Sequence, residues 1–132
     1  MRNVLAALIL ALVPLPVAAD PQAVRRTIDD QIAAFQADDF AAAFGYASPS
    51  IQGLLRDPAN FGRMVRNGYP MVWRPAEVEH LGGEVVGSGW QQEVLITDGG
   101  GRLHVLRYAM VETPDGWRIN GVEILGSPDA GA

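Results

Sequence analysis

Residues 64–79 read MVRNGYPMVWRPAEVE, and within them the spacing of apolar residues changes from that of a helix to that of a strand. Apolar side chains in residues 61–65 follow a helical spacing, and Asn67-Gly68 predicts a left-handed cap that ends this helix. From Met71 onward the apolar period is two, which predicts a strand that begins at Val72. The stretch therefore separates a helical first half from a stranded second half.

Glycine and proline support the same division. Only four of the 15 glycines precede residue 82, and helices disfavour glycine whereas hairpin turns use it. Asp20-Pro21, Ser48-Pro49 and Asp57-Pro58 each combine a capping side chain with a proline at the first helical position. Asp38 or Asp39 provides a further cap before Phe40. These signals predict three to four N-terminal helices.

Strands are predicted wherever apolar side chains alternate between glycine-rich turns. The phase of the alternation slips at Asn120-Gly121, which predicts a β-bulge that bends the last strand. The expected fold is α+β, with the helices packed on a strongly curved antiparallel sheet of about five strands. The predicted strands cover residues 72–79, 84–86, 91–97, 102–111 and 117–125.

The first 19 residues have the three parts of a secretory signal peptide. A short positive leader precedes an apolar run over residues 4–13, and small residues precede Asp20. The apolar segment is too short to span a bilayer, which takes roughly 20 residues. We therefore expect cleavage near Ala19, a secreted or periplasmic protein without a membrane anchor, one domain over residues 20–126, and a disordered tail over residues 127–132.

Composition excludes several classes of site and partner. The 132-residue chain contains no cysteine, which excludes disulfides and thiolate zinc sites, and all ten of its basic residues are arginine. Its net charge is −5 and becomes −6 once Arg2 is removed with the leader. Such an acidic protein is not expected to bind nucleic acid.

Four segments resemble a family of secreted bacterial proteins, domain of unknown function 4864. They are AAFQADDF at 33–40, FGYASP at 44–49, MVRNGYPMVWRP at 64–75 and DGWRINGV at 115–122. The order of predicted elements is similar to that of the NTF2-like (SnoaL-like, cystatin-like) superfold. The resemblance implies a cone-shaped cavity between helices and sheet, which some NTF2-like proteins use for catalysis and others for binding alone. It implies no particular activity.

Three residues are weak candidates for an acid or base in such a cavity: Asp39, Tyr46 and His104. Together with Arg107 as an anion stabiliser they would suit a small cofactor-free isomerase or lyase. However, Asp39 is adjacent to Asp38, and neighbouring carboxylates on a helix diverge, so that capping of the next helix explains at least one of them.

Five residues are candidates for ligand binding. Tyr46, Tyr69 and Trp73 lie at the junction of helices and sheet, where the cavity of the superfold opens. Arg107 and Tyr108 lie within the apolar strand 102–111.

Arg107 has two explanations. It enters a cavity that holds an anion, or it pairs with an acid such as Glu93 or Glu123 on a neighbouring strand. Pairing is the favoured explanation, because an unpaired guanidinium in a core is costly.

No metal or cofactor is expected. His80 and His104 are the only histidines and have no neighbours at the spacing of metal ligands, and the chain has no phosphate-binding or dinucleotide-binding motif.

The strand over residues 102–111 is apolar on both faces, and only one face can cover the helices. An uncovered apolar stripe is unusual in a monomer, so we expect a homodimer formed through the sheet. The leading hypothesis is an exported, non-catalytic NTF2-like domain that binds a small ligand or a protein partner. The alternative is the isomerase or lyase described above.

Overall fold

The computed structural model describes residues 20–126. The predicted signal peptide and the predicted disordered tail lie outside these residues. The chain forms five helices followed by four strands: α1 (Pro21–Gln36), α2 (Phe40–Gly45), α3 (Pro49–Leu55), α4 (Pro58–Gly68), α5 (Pro70–Trp73), β1 (Pro75–Val86), β2 (Gly89–Asp98), β3 (Leu103–Thr113) and β4 (Gly116–Gly126). The α+β class predicted from the sequence is confirmed.

Four side chains cap the first four helices as predicted. The carboxylate of Asp20 accepts a hydrogen bond from Gln22 N, and Asp39 accepts one from Ala42 N. The Ser48 hydroxyl caps α3 and the Asp57 carboxylate caps α4 in the same way. Each cap satisfies an amide at a helix start that has no partner within the helix.

The prediction of a left-handed cap at Asn67-Gly68 is wrong. The helix ends at Gly68, but neither residue has a positive φ. The chain instead turns through Tyr69 (φ −136°) into Pro70, the first residue of α5. The helix over residues 70–73 also replaces the predicted strand start at Val72, so β1 begins at Pro75.

The sheet has four antiparallel strands in the order β1-β2-β3-β4, not about five. The predicted strands 72–79 and 84–86 are parts of one strand, β1, because Gly82-Gly83 lies in an irregularity of the β1–β2 ladder and not in a hairpin turn. Gln92 Nε2 donates a hydrogen bond to Leu81 O at 3.2 Å across this irregularity. A Cβ at Gly83 would lie 2.5 Å from Trp90 Nε1 and from Gln92 Oε1, so a larger residue here would force these two side chains to move.

The helices cover one face of the sheet and form the core with it. On α1, Val24, Ile28, Ile32 and Phe35 are buried along one stripe, as the sequence spacing predicts. The Thr27 hydroxyl joins this helix to the sheet by donating to Trp117 O at 3.3 Å. The buried side chains of the sheet alternate along the three strands that contribute them: Gln92, Val94 and Ile96 in β2, Leu106, Tyr108 and Met110 in β3, Trp117 and Ile119 in β4.

The predicted β-bulge in the last strand is confirmed. Ala109 pairs with Gly121 and Met110 pairs with Ile119, so Asn120 is the extra residue in β4. The segment that joins α2 to α3 is attached to the strand edge at this bulge: Ser48 N donates to Ile119 O at 2.8 Å, and Ile119 N donates to Tyr46 O at 2.9 Å.

Candidate functional site

A cavity of about 320 Å³ lies between the helices and β4. This volume is at the lower end of the range that small-molecule sites occupy. The walls come from all helices except α2, from Ala47 and from the last strand. The lining residues are Gln31, Phe35, Ala47, Ile51, Leu54, Leu55, Phe61, Met64, Val65, Tyr69, Val72, Ile119, Gly121 and Val122.

Helix α3 forms one side of the cavity without being part of the core. None of its residues is buried, and Leu54 at its C-terminal end is 75% exposed. Its position is set at its first turn, where the Ser48 hydroxyl donates to Asn120 Oδ1 at 2.7 Å. The bulge in β4 and the cap of α3 are thus joined directly, and the cavity lies beside this junction.

The cavity is apolar apart from two side chains, Gln31 and Tyr69, and no charged residue lines it. Tyr69 was a ligand-binding candidate, and it is the one member of that set that lines this cavity. Its hydroxyl donates to Val122 O at 3.0 Å, so the phenol has a hydrogen-bond partner on the backbone of β4.

Trp73 and His104, two further candidates, lie together at a separate, shallower hollow of about 300 Å³, which Asp98 also lines. His104 Nε2 donates to Asp98 Oδ2 at 2.9 Å. This hydrogen bond, together with those from the backbone of Arg102 and Gly100, lowers the pKa of the Asp98 carboxyl. The same carboxylate therefore closes the β2–β3 turn and orients His104.

Trp73 is held by a cluster that joins the end of α1 to the start of β1. Trp73 Nε1 donates to Asp38 Oδ1 at 3.0 Å, and Arg74 Nη2 donates to both oxygens of Asp38 at 2.8 and 3.0 Å. These hydrogen bonds lower the pKa of the Asp38 carboxyl. The Arg74 guanidinium also lies 4.2 Å from the centroid of the Trp73 ring. The polar groups of this cluster therefore bond mainly to one another.

Arg107 lies on the face of the sheet opposite the helices. Its guanidinium is 3.3 Å from Glu93 Oε1 and 3.7 Å from Glu123 Oε2. Both acids occupy the neighbouring strands directly beside Arg107. The ion pairing favoured from the sequence is confirmed, and Arg107 does not line the cavity on the helical face.

Tyr108 points towards the helices and is completely buried in the core. Its hydroxyl has no hydrogen-bond partner among the residues that the structure describes. Burial raises the pKa of this phenol far above its ordinary value. Tyr108 does not line the cavity, so it acts as a core residue and not as a wall of that site.

The three acid–base candidates are separated from one another. Asp39 caps α2, Tyr46 is half-buried beside the β4 edge, and His104 is bonded to Asp98. None of the three lines the 320 Å³ cavity, and only His104 lines the shallower hollow. The described residues therefore do not bring them together around one space in the way that the isomerase or lyase hypothesis requires.

Residues 20–126 contain neither a group of metal-ligating side chains nor a helix that could span a membrane. Within that range no three His, Asp or Glu side chains are grouped so that they could hold a metal ion. In the same range no helix has both the length and the apolar character needed to cross a membrane.

Gln31 is the polar wall residue that the sequence analysis missed. It is 3% exposed, and its Nε2 donates to Ala43 O at 3.1 Å. The signal was present in the sequence, because Gln31 lies three residues after Ile28 and four before Phe35 and therefore shares their face of α1. Gln31 was missed because it is polar, and the stripe was identified from the spacing of apolar residues alone.

A family profile described as domain of unknown function (DUF4864) matches residues 17–132. The chain belongs to this family. DUF4864 is the family that the four sequence segments resembled. No match was found among curated proteins or among solved structures. Membership of DUF4864 carries no assigned activity, so function has to be argued from the site.

Proposed function

We propose that this DUF4864 protein is a non-catalytic binding protein that holds a small, largely apolar molecule in the cavity between its helices and β4. The observation that carries the proposal is the cavity itself, about 320 Å³ in volume and without a charged residue in its wall. An apolar cavity with a few polar groups is the usual form of a small-molecule site. The dispersed positions of Asp39, Tyr46 and His104 favour binding over isomerase or lyase chemistry.

We further propose an NTF2-like fold and a periplasmic location. Five helices before an antiparallel sheet with a bulged last strand support the fold proposal. The pattern of residues 1–19 supports export, and a chain without cysteine does not depend on disulfides for its stability outside the cytoplasm. A ligand taken up in the periplasm would be seated between α3, α4 and β4.

Native mass spectrometry of protein purified from the periplasm without detergent tests the proposed binding function and the proposed export together. We expect a chain that begins at Asp20 and carries a retained small molecule of low polarity. The cavity-filling substitution Val65→Phe should abolish retention, because Val65 is 4% exposed and lines the cavity, where a phenyl ring would occupy the space of the ligand.

The matched control is Val85→Phe, the same substitution at a position that is 60% exposed and does not line the cavity. It should leave retention unchanged. Circular dichroism establishes that both variants are folded. A folded Val65→Phe protein that retains the ligand at the wild-type ratio would contradict binding in this cavity.

A further inference from the structure

The amide of Gln31 is fixed in one orientation at the wall of the cavity. Nε2 donates to Ala43 O, a carbonyl of α2, at 3.1 Å. A carbonyl accepts only from the nitrogen of a side-chain amide, so this bond determines which way the amide faces. Oε1 lies in the plane of the same amide and consequently points away from Ala43 O.

Gln31 Oε1 has no hydrogen-bond partner among the described residues. Gln31 is 3% exposed and lines the cavity. Because Nε2 is bonded to Ala43 O, Oε1 is the polar atom of this side chain that is left to accept a hydrogen bond from a ligand.

The other residues of the cavity wall determine which class of ligand could donate a hydrogen bond to Gln31 Oε1. Tyr69, the other polar side chain of the wall, has its only proton donated to Val122 O. No charged side chain lines the cavity. A carboxylate or phosphate inside would have no cation to pair with, and an anion without a partner in an apolar site is strongly disfavoured.

We propose that the cavity selects a neutral amphiphile, a molecule whose hydroxyl or N–H group donates a hydrogen bond to Gln31 Oε1 and whose apolar body extends towards Leu54. This inference rests on the proposed binding function and specifies the ligand class. A donor at Gln31 would give the amide oxygen a hydrogen-bond partner inside an otherwise apolar cavity.

Three probes with ten carbon atoms each test the proposal on the wild-type protein: decanol, its isomer nonyl methyl ether, and decanoate, each titrated by calorimetry at neutral pH. Decanol should bind about 2- to 12-fold more tightly than the ether, which has an oxygen but no proton to donate, since this is the range that one net hydrogen bond provides. Decanoate should bind most weakly.

Gln31→Met, a substitution of similar length, should remove the preference for decanol over the ether while leaving binding of the ether intact. It also removes the bond to Ala43 O, and an unchanged affinity for the ether shows that the cavity has kept its shape. Gln36 lies on the same helix as Gln31, but it is exposed and does not line the cavity. Gln36→Met, the matched control, should therefore keep the preference for decanol.

The outcomes separate the two proposals. Equal affinity of the wild-type protein for decanol and the ether, or tightest binding of decanoate, would overturn the proposed ligand class and leave cavity binding standing. Binding of none of the three probes would overturn the binding function as well. Loss of the preference in Gln36→Met, or its persistence in Gln31→Met, would show that it does not depend on Gln31 Oε1 and would also overturn the inference.

Discussion

At the residue scale, Tyr108 and Tyr69 differ in whether the hydroxyl group has a hydrogen-bond partner, and this difference affects the stability of the fold. Both aromatic rings pack with the core, but only Tyr69 has found a partner for its proton, Val122 O. A buried hydroxyl without a partner has lost its hydrogen bonds to water and gained none in return. The two tyrosines should therefore respond in opposite directions when the hydroxyl is removed.

Tyr108→Phe should raise the free energy of unfolding by about 1 kcal/mol, because it removes an unsatisfied hydroxyl and keeps the ring. Tyr69→Phe, the matched variant, should lower it by about 1 kcal/mol, because it removes a hydrogen bond and leaves Val122 O without that partner. Urea denaturation measures both. An equal loss of stability in the two variants would show that the Tyr108 hydroxyl is bonded in solution.

At the scale of elements, α1 and α3 differ in how they are held. Helix α1 buries six residues against the rest of the molecule, whereas α3 buries none. What fixes α3 is polar: the Ser48 cap, its bond to Asn120, and the Gln52 amide on the backbone of the preceding segment. An element with few buried apolar contacts opens at lower free energy than the core.

We therefore expect the amide hydrogens of α3 to exchange with solvent faster than those around Val24 and Ile28 in α1. Addition of decanol should slow the exchange of α3, because its residues Ile51 and Leu55 would contact the bound ligand. The β1–β2 turn around Gly87, which does not line the cavity, should be unaffected. Protection of α3 equal to that of α1 in the free protein would contradict this account of the cavity wall.

At the scale of the whole molecule, the face of the sheet opposite the helices combines charge with apolar surface. Arg107 and its partners Glu93 and Glu123 cross the middle of this face. Leu95, Val105 and Ala109 beside them are only partly buried. Among residues 20–126 no element covers this face, since the helices contact the other one. We propose that a second copy of the chain covers it.

Sedimentation velocity should give a dimer at micromolar concentration. Val105→Glu should convert it to a folded monomer, because Val105 pairs with Leu95 across the β2–β3 ladder and a carboxylate placed in this apolar contact would be desolvated. Val85→Glu, at an exposed site near the β1–β2 turn, should leave the dimer intact. A wild-type protein that sediments only as a monomer across micromolar concentrations would rule out the dimer.

Local signals in the sequence determined the elements that depend on neighbouring residues alone. The pairs Asp20-Pro21, Ser48-Pro49 and Asp57-Pro58 marked helix starts correctly, because a cap and a fixed φ act within one turn. The phase slip at Asn120-Gly121 marked the bulge, because the alternation of apolar residues can be followed along a single strand. The pairing of Arg107 with acids on the neighbouring strands was also predicted, although Arg107 lies on the half-exposed face of the sheet and not in the core.

Only the tertiary structure decided features that depend on several elements at once. Gly82-Gly83 suits a hairpin turn or a strand irregularity equally well, and the side chains of Trp90 and Gln92 across the ladder select the second. The cavity is the space that the helices and β4 leave between them, so no single segment encodes it. Gln31 became a candidate site residue because its side chain lines this cavity while Ala43 O of α2 holds its Nε2.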